Sequence, residues 1–80
     1  MARRPAKTAA GQFAVEIQRE ADGRWIADVP ALPGCMVYGA TREEARVQVV
    51  ALALHVLAER IENGDAPPDF IAGAFDIAAA

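Results

Sequence analysis

Two side chains in this 80-residue chain have the types that nucleophilic catalysis requires. Cys35 is the single cysteine and His55 the single histidine, and a thiol beside an imidazole can act as a nucleophile with its base. Cys35, however, opens a predicted short strand, where a cysteine is usually a small packing residue, and His55 falls on the polar stripe of a predicted helix. Since the chain has no serine, a Ser-His-Asp triad is excluded.

The carboxylates on the predicted strands are the other candidates for chemistry. The predicted order of three strands, one long helix and a last strand is similar to half of a ribonuclease H-like fold, whose nucleases hold two metal ions with several converging carboxylates. Glu16 and Glu20 alternate outward with Gln18, as on a solvated face, which leaves Asp28 as the acid between apolar neighbours. One such acid does not make a two-metal site, and no Cys/His cluster has metal-ligand spacing. We therefore expect no enzyme activity, no metal and no cofactor.

Length and charge favour a small domain that acts on another protein. Eighty residues make one domain with little net stability. The lone cysteine fits a reducing cytoplasm. Because a single cysteine permits no internal disulfide to stabilise so small a domain, we expect oligomerisation. Residues 1–11 hold three of the eight basic residues and are predicted to be a disordered leader. Residues 12–80 form the domain, whose five basic and eleven acidic residues give net −6. An acidic body favours a basic partner over a phosphate surface. No apolar run reaches the roughly 18 residues of a membrane span.

Three strands are predicted before the helix. Residues 12–20 alternate, and Asp22-Gly23 predicts a hairpin to a second strand over residues 24–29. In that strand Trp25, Ala27 and Val29 share one face and Ile26 and Asp28 the other, and periodicity leaves open which face meets the core. Pro30 ends the strand, residues 31–34 form a turn, and residues 35–38 form a third short strand.

One long helix is predicted over residues 42–62. Thr41 is its expected N-cap, with Glu44 reaching back to the Thr41 amide in a capping box, and Asn63-Gly64 is its stop. The helix carries two apolar seams on nearly opposite sides. The first seam consists of Ala45, Val49, Leu52 and Val56. The second seam consists of Val47, Val50, Leu54, Leu57 and Ile61.

The second seam requires a cover of its own, because a helix on one face of a sheet needs only one apolar seam. The C-terminal segment, another copy of the chain and a different protein are the three candidates, and we predict that this seam is the oligomer interface. A last strand over residues 73–78, reached by a right-handed crossover, completes the predicted fold. The prediction is an α+β fold of order β-β-β-α-β with one long helix on one face of the sheet.

Two motifs in the centre of the chain resemble the HicB-like antitoxin family. Residues 28–35 read D-V-P-A-L-P-G-C, and residues 39–45 read G-A-T-R-E-E-A. The resemblance covers about residues 13–65. It implies a partial ribonuclease H-like fold without a working nuclease centre, and dimers or higher oligomers. It also implies the binding and neutralisation of a small basic HicA-type toxin that cleaves mRNA.

Many HicB-like proteins carry a C-terminal DNA-binding domain, and the present sequence ends after the predicted last strand, so no direct DNA binding is expected from this chain alone. We expect the toxin-binding residues among the acids and the exposed turn, at Asp28, Leu32, Tyr38 and Glu43. Two alternatives remain open at this point. One is a homo-oligomeric HicB-like interaction module without a toxin, and the other is a metal-dependent nuclease with Asp28 and Glu16 as ligands.

Overall fold

A computed structural model of the chain describes residues 13–75. In chain order its elements are β1 (Glu16–Arg19), β2 (Trp25–Asp28), β3 (Met36–Gly39), a long helix α1 (Arg42–Glu62) and a short helix α2 (Asp69–Ala72). The strands form an antiparallel sheet in the order β1-β2-β3, and α1 packs on one face of it. This confirms the predicted α+β class, with three strands followed by one long helix. The similarity of the sheet to a partial ribonuclease H-like fold stays a prediction. The predicted disordered leader over residues 1–11 lies outside the described residues.

β1 and β2 are shorter than the predicted strands over residues 12–20 and 24–29, and β3 keeps its predicted length but begins one residue later. At the hairpin, Gly23 has a φ of 93°, and its amide donates to the carbonyl of Glu20. At the second connection, Val29 and Cys35 were expected inside strands but instead close the turn, with the Val29 amide donating to the Cys35 carbonyl at 3.0 Å. The amide of Leu32 donates in turn to the carbonyl of Val29, which folds the loop back on itself.

The core lies between the sheet and the first seam of α1. Ala27 and Val29 are buried, so the face of β2 that carries them meets the helix, and the periodicity had left this choice open. Ala45 and Val49 of the first seam are fully buried against that face. The buried apolar residues of the described region are Ala27, Val29, Leu32, Cys35, Ala45, Val49 and Leu57. The first seam therefore faces the sheet.

The ends of α1 are set by side-chain and backbone caps. The hydroxyl of Thr41 accepts from the Glu44 amide at 3.0 Å, which confirms the predicted N-cap. The return bond differs from the predicted capping box, because Glu44 Oε2 accepts from the amide of Ala40 at 3.3 Å rather than from that of Thr41. With Thr41 in an extended conformation (φ −128°, ψ 161°), it is the preceding amide that lies within bonding distance of the carboxylate. At the other end, Gly64 has a φ of 105°.

The chain forms a short helix after the two prolines. The carbonyl of Pro68 accepts from the amides of Ile71 and Ala72 at 2.9 and 2.8 Å, so these amides are satisfied locally. Residues 73–75, the first part of the predicted last strand, form a turn and its exit, and the rest of that strand lies outside the described residues. Within residues 13–75, neither helix combines the length and the apolarity that crossing a membrane requires.

Candidate protein-interaction surfaces

The face of the sheet turned away from α1 has no described element packed on it. The strand register brings together on this face Glu16, Gln18, Ile26, Asp28, Met36 and Tyr38, which we call the open sheet face. Met36 is 47% exposed and Tyr38 is 43% exposed, although both are large and mostly apolar. Exposed side chains of this kind, rimmed by polar groups, are typical of surfaces that bind another protein.

Tyr38 is held in place by a chain of contacts from the hairpin. The guanidinium carbon of Arg24 lies 4.3 Å from the centre of the Tyr38 ring, within the range of a cation–π contact. Asp22 fixes this arginine, since its carboxylate accepts from Arg24 Nε at 2.7 Å and from the Arg24 amide at 3.0 Å. The bond from the Arg24 amide has the largest effect on the pKa of Asp22, which it lowers. The bond from the Arg24 side chain lowers the pKa of Asp22 as well. These contacts favour the observed position of the exposed ring, and a ring positioned before a partner arrives loses less entropy on binding.

A depression of about 380 Å³ adjoins the open sheet face where the proline-bounded turn leaves β2. Asp28 and Met36 line one side of it, and the turn lines the rest, including Pro30, Pro33 and Gly34. Gly34 has a φ of 83°, a conformation that residues with a β-carbon rarely adopt. Because Asp28 borders both the depression and the open sheet face, a basic side chain from a partner could enter the depression and meet a carboxylate.

The four residues predicted to bind a partner do not form one cluster. Asp28 and Tyr38 both lie on the open sheet face. Leu32 is only 2% exposed and supports the turn from inside, so it positions the depression rather than offering a contact surface. Glu43 is exposed in the first turn of α1, where its carboxylate binds Arg46 at 2.6 Å. The side-chain hydrogen bond from that arginine lowers the pKa of Glu43.

The second seam of α1 is mostly exposed. Val47, Val50, Leu54 and Ile61 are all exposed, and Leu54 is 52% exposed. Leu57 differs, because it is only 7% exposed and belongs to the core of the single chain. The second seam thus presents four apolar side chains to the surface, with the fifth in a recess between them. Since α1 covers the inner face of the sheet, this seam and the open sheet face lie on opposite sides of the protein.

An apolar groove of about 270 Å³ runs beside the second seam. Val50 and Leu54 line one side, and Leu57 is also part of its lining. Phe70 of α2 lines the other side and packs edge-on against Phe13, with ring centres 5.5 Å apart. The groove therefore lies between the long helix and the segments that flank it in sequence, which is a common position for a binding site.

The two candidates for nucleophilic catalysis lie in different environments. Cys35 is buried, and its thiol contacts the carbonyl oxygen of Val49 at 3.9 Å. Burial, and then the negative charge of Asp28, raise the pKa of this thiol, which favours the less nucleophilic protonated form. His55 lies on the exposed side of α1. These environments agree with a packing role for the cysteine.

The structure places two carboxylates of the open sheet face opposite each other. Glu16 on β1 and Asp28 on β2 are direct partners in the antiparallel register. They are also the two ligands of the nuclease alternative. Among residues 13–75, however, no three Asp, Glu, His or Cys side chains come close enough together to hold a metal ion.

Some residues of these surfaces were not among the predicted site residues. Met36 and Ile26 flank Tyr38 and Asp28 on the open sheet face, and Phe70 borders the groove. The spacing of Met36 and Tyr38 in the sequence indicated that Met36 shares the face of Tyr38, because residues two apart on a strand share a face. No local pattern pointed to Phe70, since its position depends on where α2 packs.

A protein described as UPF0150 protein Ta0767, from Thermoplasma acidophilum, is 32% identical to the chain over 59 residues. The aligned region covers 72% of this chain and 86% of that protein. No protein-family model matches the chain. No solved structure matches it either. The similarity to the archaeal protein thus extends over most of the length of both chains.

Proposed function

The chain belongs to the UPF0150 family, and from this premise we propose that it is a HicB-like antitoxin module. In this proposal it binds a small basic HicA-type toxin in the cytoplasm and stops it from cleaving mRNA, without catalysing a reaction itself. The family of the chain and two of its sequence motifs support the proposal. UPF0150 is a family associated with HicB-like antitoxins, and the motifs at residues 28–35 and 39–45 resemble that family.

The observation that carries the proposal is the composition of the open sheet face. It combines exposed Met36 and Tyr38 with the carboxylate of Asp28 and a depression next to it. Apolar area supplies binding free energy when water is excluded, and an acidic group beside it selects a basic partner and speeds the encounter. An RNA-cleaving toxin must carry basic residues to hold the phosphate backbone of its substrate. An acidic surface that binds those residues competes directly with RNA.

The overall charge of the chain supports the same partner. The chain has eleven acidic and eight basic residues, and three of the basic ones lie in residues 1–11. The long-range field of the domain therefore attracts a basic protein and repels nucleic acid. Net charge governs the rate and selectivity of association more than its strength, which depends on the contacts at the open sheet face.

The experiment that tests the proposal is co-expression with a small basic HicA-type protein from the same organism. The tagged chain should retain that protein in a roughly stoichiometric complex at physiological salt. A variant with Met36→Asp, on the open sheet face, should lose it, while a matched variant with Ala58→Asp, on the exposed side of α1, should keep it. Absence of a complex with the unmodified chain would contradict the proposal.

A second candidate function rests on the exposed second seam. A homo-oligomeric HicB-like module without a toxin would use that seam to assemble and would leave the open sheet face without a basic partner. The two functions make different predictions for the co-expression experiment, because only the antitoxin retains the HicA-type protein. Self-assembly by itself is compatible with both.

A further inference from the structure

The two edges of the sheet differ in how they are protected from further pairing. β1 and β3 are the edge strands, because the strand order is β1-β2-β3. Edge strands of natural proteins commonly carry charged residues or proline, which discourage another strand from pairing with them. β1 reads Glu-Ile-Gln-Arg and has such charges at both of its ends. β3 reads Met-Val-Tyr-Gly and has neither charge nor proline, so its free edge is the one that favours an added strand.

The main-chain groups of Tyr38 point to the free edge of β3. Just beyond the ends of β2 and β3, the Val29 amide donates to the Cys35 carbonyl at 3.0 Å. Hydrogen-bonded and non-hydrogen-bonded pairs alternate along an antiparallel ladder, so the pair of Ile26 and Tyr38, three positions further along, is non-hydrogen-bonded. The amide and the carbonyl of Tyr38 therefore point away from β2, and no other group within residues 13–75 bonds them.

Bonds within the chain close this free edge at both ends. The Met36 amide donates to the Gly34 carbonyl at 3.0 Å. The Ala40 amide donates to Glu44 Oε2 at 3.3 Å. Both amides lie on the same side of β3 as the groups of Tyr38, because main-chain groups two residues apart point the same way. The free edge thus offers the Met36 carbonyl and both groups of Tyr38, which fits a short extended segment.

We propose that an extended segment of the basic partner adds to the free edge of β3 as a fourth, antiparallel strand. This inference rests on the proposed function, because the occupant is the HicA-type toxin. One residue of the segment exchanges two main-chain hydrogen bonds with Tyr38, and the residue two positions later donates its amide to the Met36 carbonyl. Antiparallel pairing is the more stable per residue, which matters for so short a segment.

The neighbouring side chains determine which segment fits. The residue opposite Met36 lies on the open sheet face, in line with Asp28, which is the partner of Met36 on β2. It is two strand spacings, about 10 Å, from β2, so a long side chain such as arginine extends across Met36 towards the Asp28 carboxylate. The residue opposite Tyr38 packs on an exposed ring, which favours an apolar side chain. The segment is therefore an apolar residue followed two positions later by lysine or arginine.

The same chemistry disfavours a second copy of this chain as the occupant. A second β3 has the sequence Met-Val-Tyr-Gly and brings no basic side chain to Asp28. A segment of a basic, RNA-binding protein supplies that charge, and in binding here it withdraws it from the phosphate backbone of RNA.

Amide hydrogen exchange measured by NMR tests the inference on the free full chain and on its complex with a small basic HicA-type protein from the same organism. In the free chain the Tyr38 amide should exchange rapidly, whereas the Val37 amide, which bonds to β2, should be protected. In the complex, exchange of the Tyr38 amide should slow by about 100-fold or more. The Arg19 amide, on the opposite edge of the sheet, should exchange at the same rate in both samples.

A matched pair of substitutions separates the main-chain bond from the aromatic ring. Tyr38→Thr removes the ring but keeps the amide, whereas Tyr38→Pro removes both and is tolerated because this amide makes no bond in the ladder. The proline variant should bind the HicA-type protein about 10-fold more weakly than the threonine variant. Arg19→Pro and Arg19→Thr, on the opposite edge, should bind equally well. Circular dichroism of each variant checks that the fold is retained.

The outcomes distinguish this inference from the function on which it rests. A complex in which the Tyr38 amide still exchanges as fast as in the free chain would overturn the added strand and leave the antitoxin function standing. Equal binding by Tyr38→Pro and Tyr38→Thr would do the same. Protection of this amide in the free chain that is lost on dilution would assign the free edge to a second copy instead. Absence of any complex would contradict the antitoxin function, and this inference with it.

Discussion

Gly39, at the end of β3, lies so close to Ala45 of α1 that a β-carbon on the glycine would be 2.6 Å from the Ala45 amide nitrogen. The neighbouring atoms are backbone, which does not move aside as a flexible side chain would. The closeness of these two residues fixes how the first turn of the helix packs on the sheet. It also explains why the family-like motif at residues 39–45 begins with glycine.

We therefore expect Gly39→Ala to destabilise the fold by about 3 kcal/mol, as overpacking against a rigid backbone does. Gly34→Ala is the matched control. Within residues 13–75, no atom outside its two chain neighbours lies within 4 Å of the β-carbon it would add, and its cost comes from a φ of 83°. That cost should be about 1 kcal/mol. Urea unfolding of both variants makes the comparison, and equal losses of stability would contradict the close packing of Gly39.

The cap at Thr41 should contribute measurably to stability. Thr41→Ala removes the acceptor for the Glu44 amide and should lower the free energy of unfolding by about 1 kcal/mol. Thr41→Ser keeps a hydroxyl at the same position and should lose much less. Thermal unfolding followed by circular dichroism measures both, and a threonine-to-alanine change without effect would show that the cap is dispensable.

Cys35 should be unreactive in the folded protein. Its burial raises the pKa of the thiol, so the folded chain holds the proton to a higher pH than the unfolded chain does. Below the ordinary thiol pKa of about 8.5, this difference costs no stability. As the pH rises above that value, the unfolded chain ionises first, and the free energy of unfolding should fall.

Two measurements check this behaviour. A thiol reagent should label Cys35 slowly at pH 8 and rapidly after denaturant is added. The loss of stability between pH 8 and pH 10 should be smaller in Cys35→Ala, which has no thiol to ionise. Rapid labelling of the folded chain would contradict the burial of this residue.

Reversing the charge of Asp28 should weaken toxin binding specifically. Asp28→Lys places a cation beside the depression and should raise the dissociation constant for a basic partner by about 10- to 100-fold, mostly through slower association at low salt. Glu59→Lys makes the same change in net charge on the exposed side of α1. It should have a much smaller effect. Equal effects of the two variants in calorimetry would mean that only net charge matters and that the open sheet face is not the site.

Local rules were sufficient to predict the long helix. Thr41 and Asn63-Gly64 gave its bounds, which agree with the observed Arg42–Glu62. The alternation around Ile17 and Ala27 likewise predicted strands with one buried face. These features depend on residues that are close together in sequence, so a pattern is enough to reveal them.

Features that depend on packing were not predictable in the same way. Leu32 was expected at the surface of the turn, yet the bonds from its amide to Val29 and from the Cys35 amide to its carbonyl direct it into the core. Leu57 belongs to the second seam by periodicity, but it lies at the base of the groove that Phe70 borders and is therefore buried. The burial of Leu32 depends on the shape of the turn, and the burial of Leu57 depends on segments that are distant along the chain. The pairs on each strand were visible in the sequence, but their assembly into one open sheet face became evident only once the register placed Asp28 beside Met36.

The central claim, that this chain neutralises a basic toxin by covering its RNA-binding surface, is tested most directly by an RNA-cleavage titration. A purified HicA-type protein from the same organism would be mixed with increasing amounts of this chain, and cleavage of a defined RNA would be followed. The account predicts that cleavage falls to background at about one chain per toxin molecule and that Asp28→Lys shifts the curve to higher concentrations. Cleavage that persists at a large excess of the unmodified chain would contradict it.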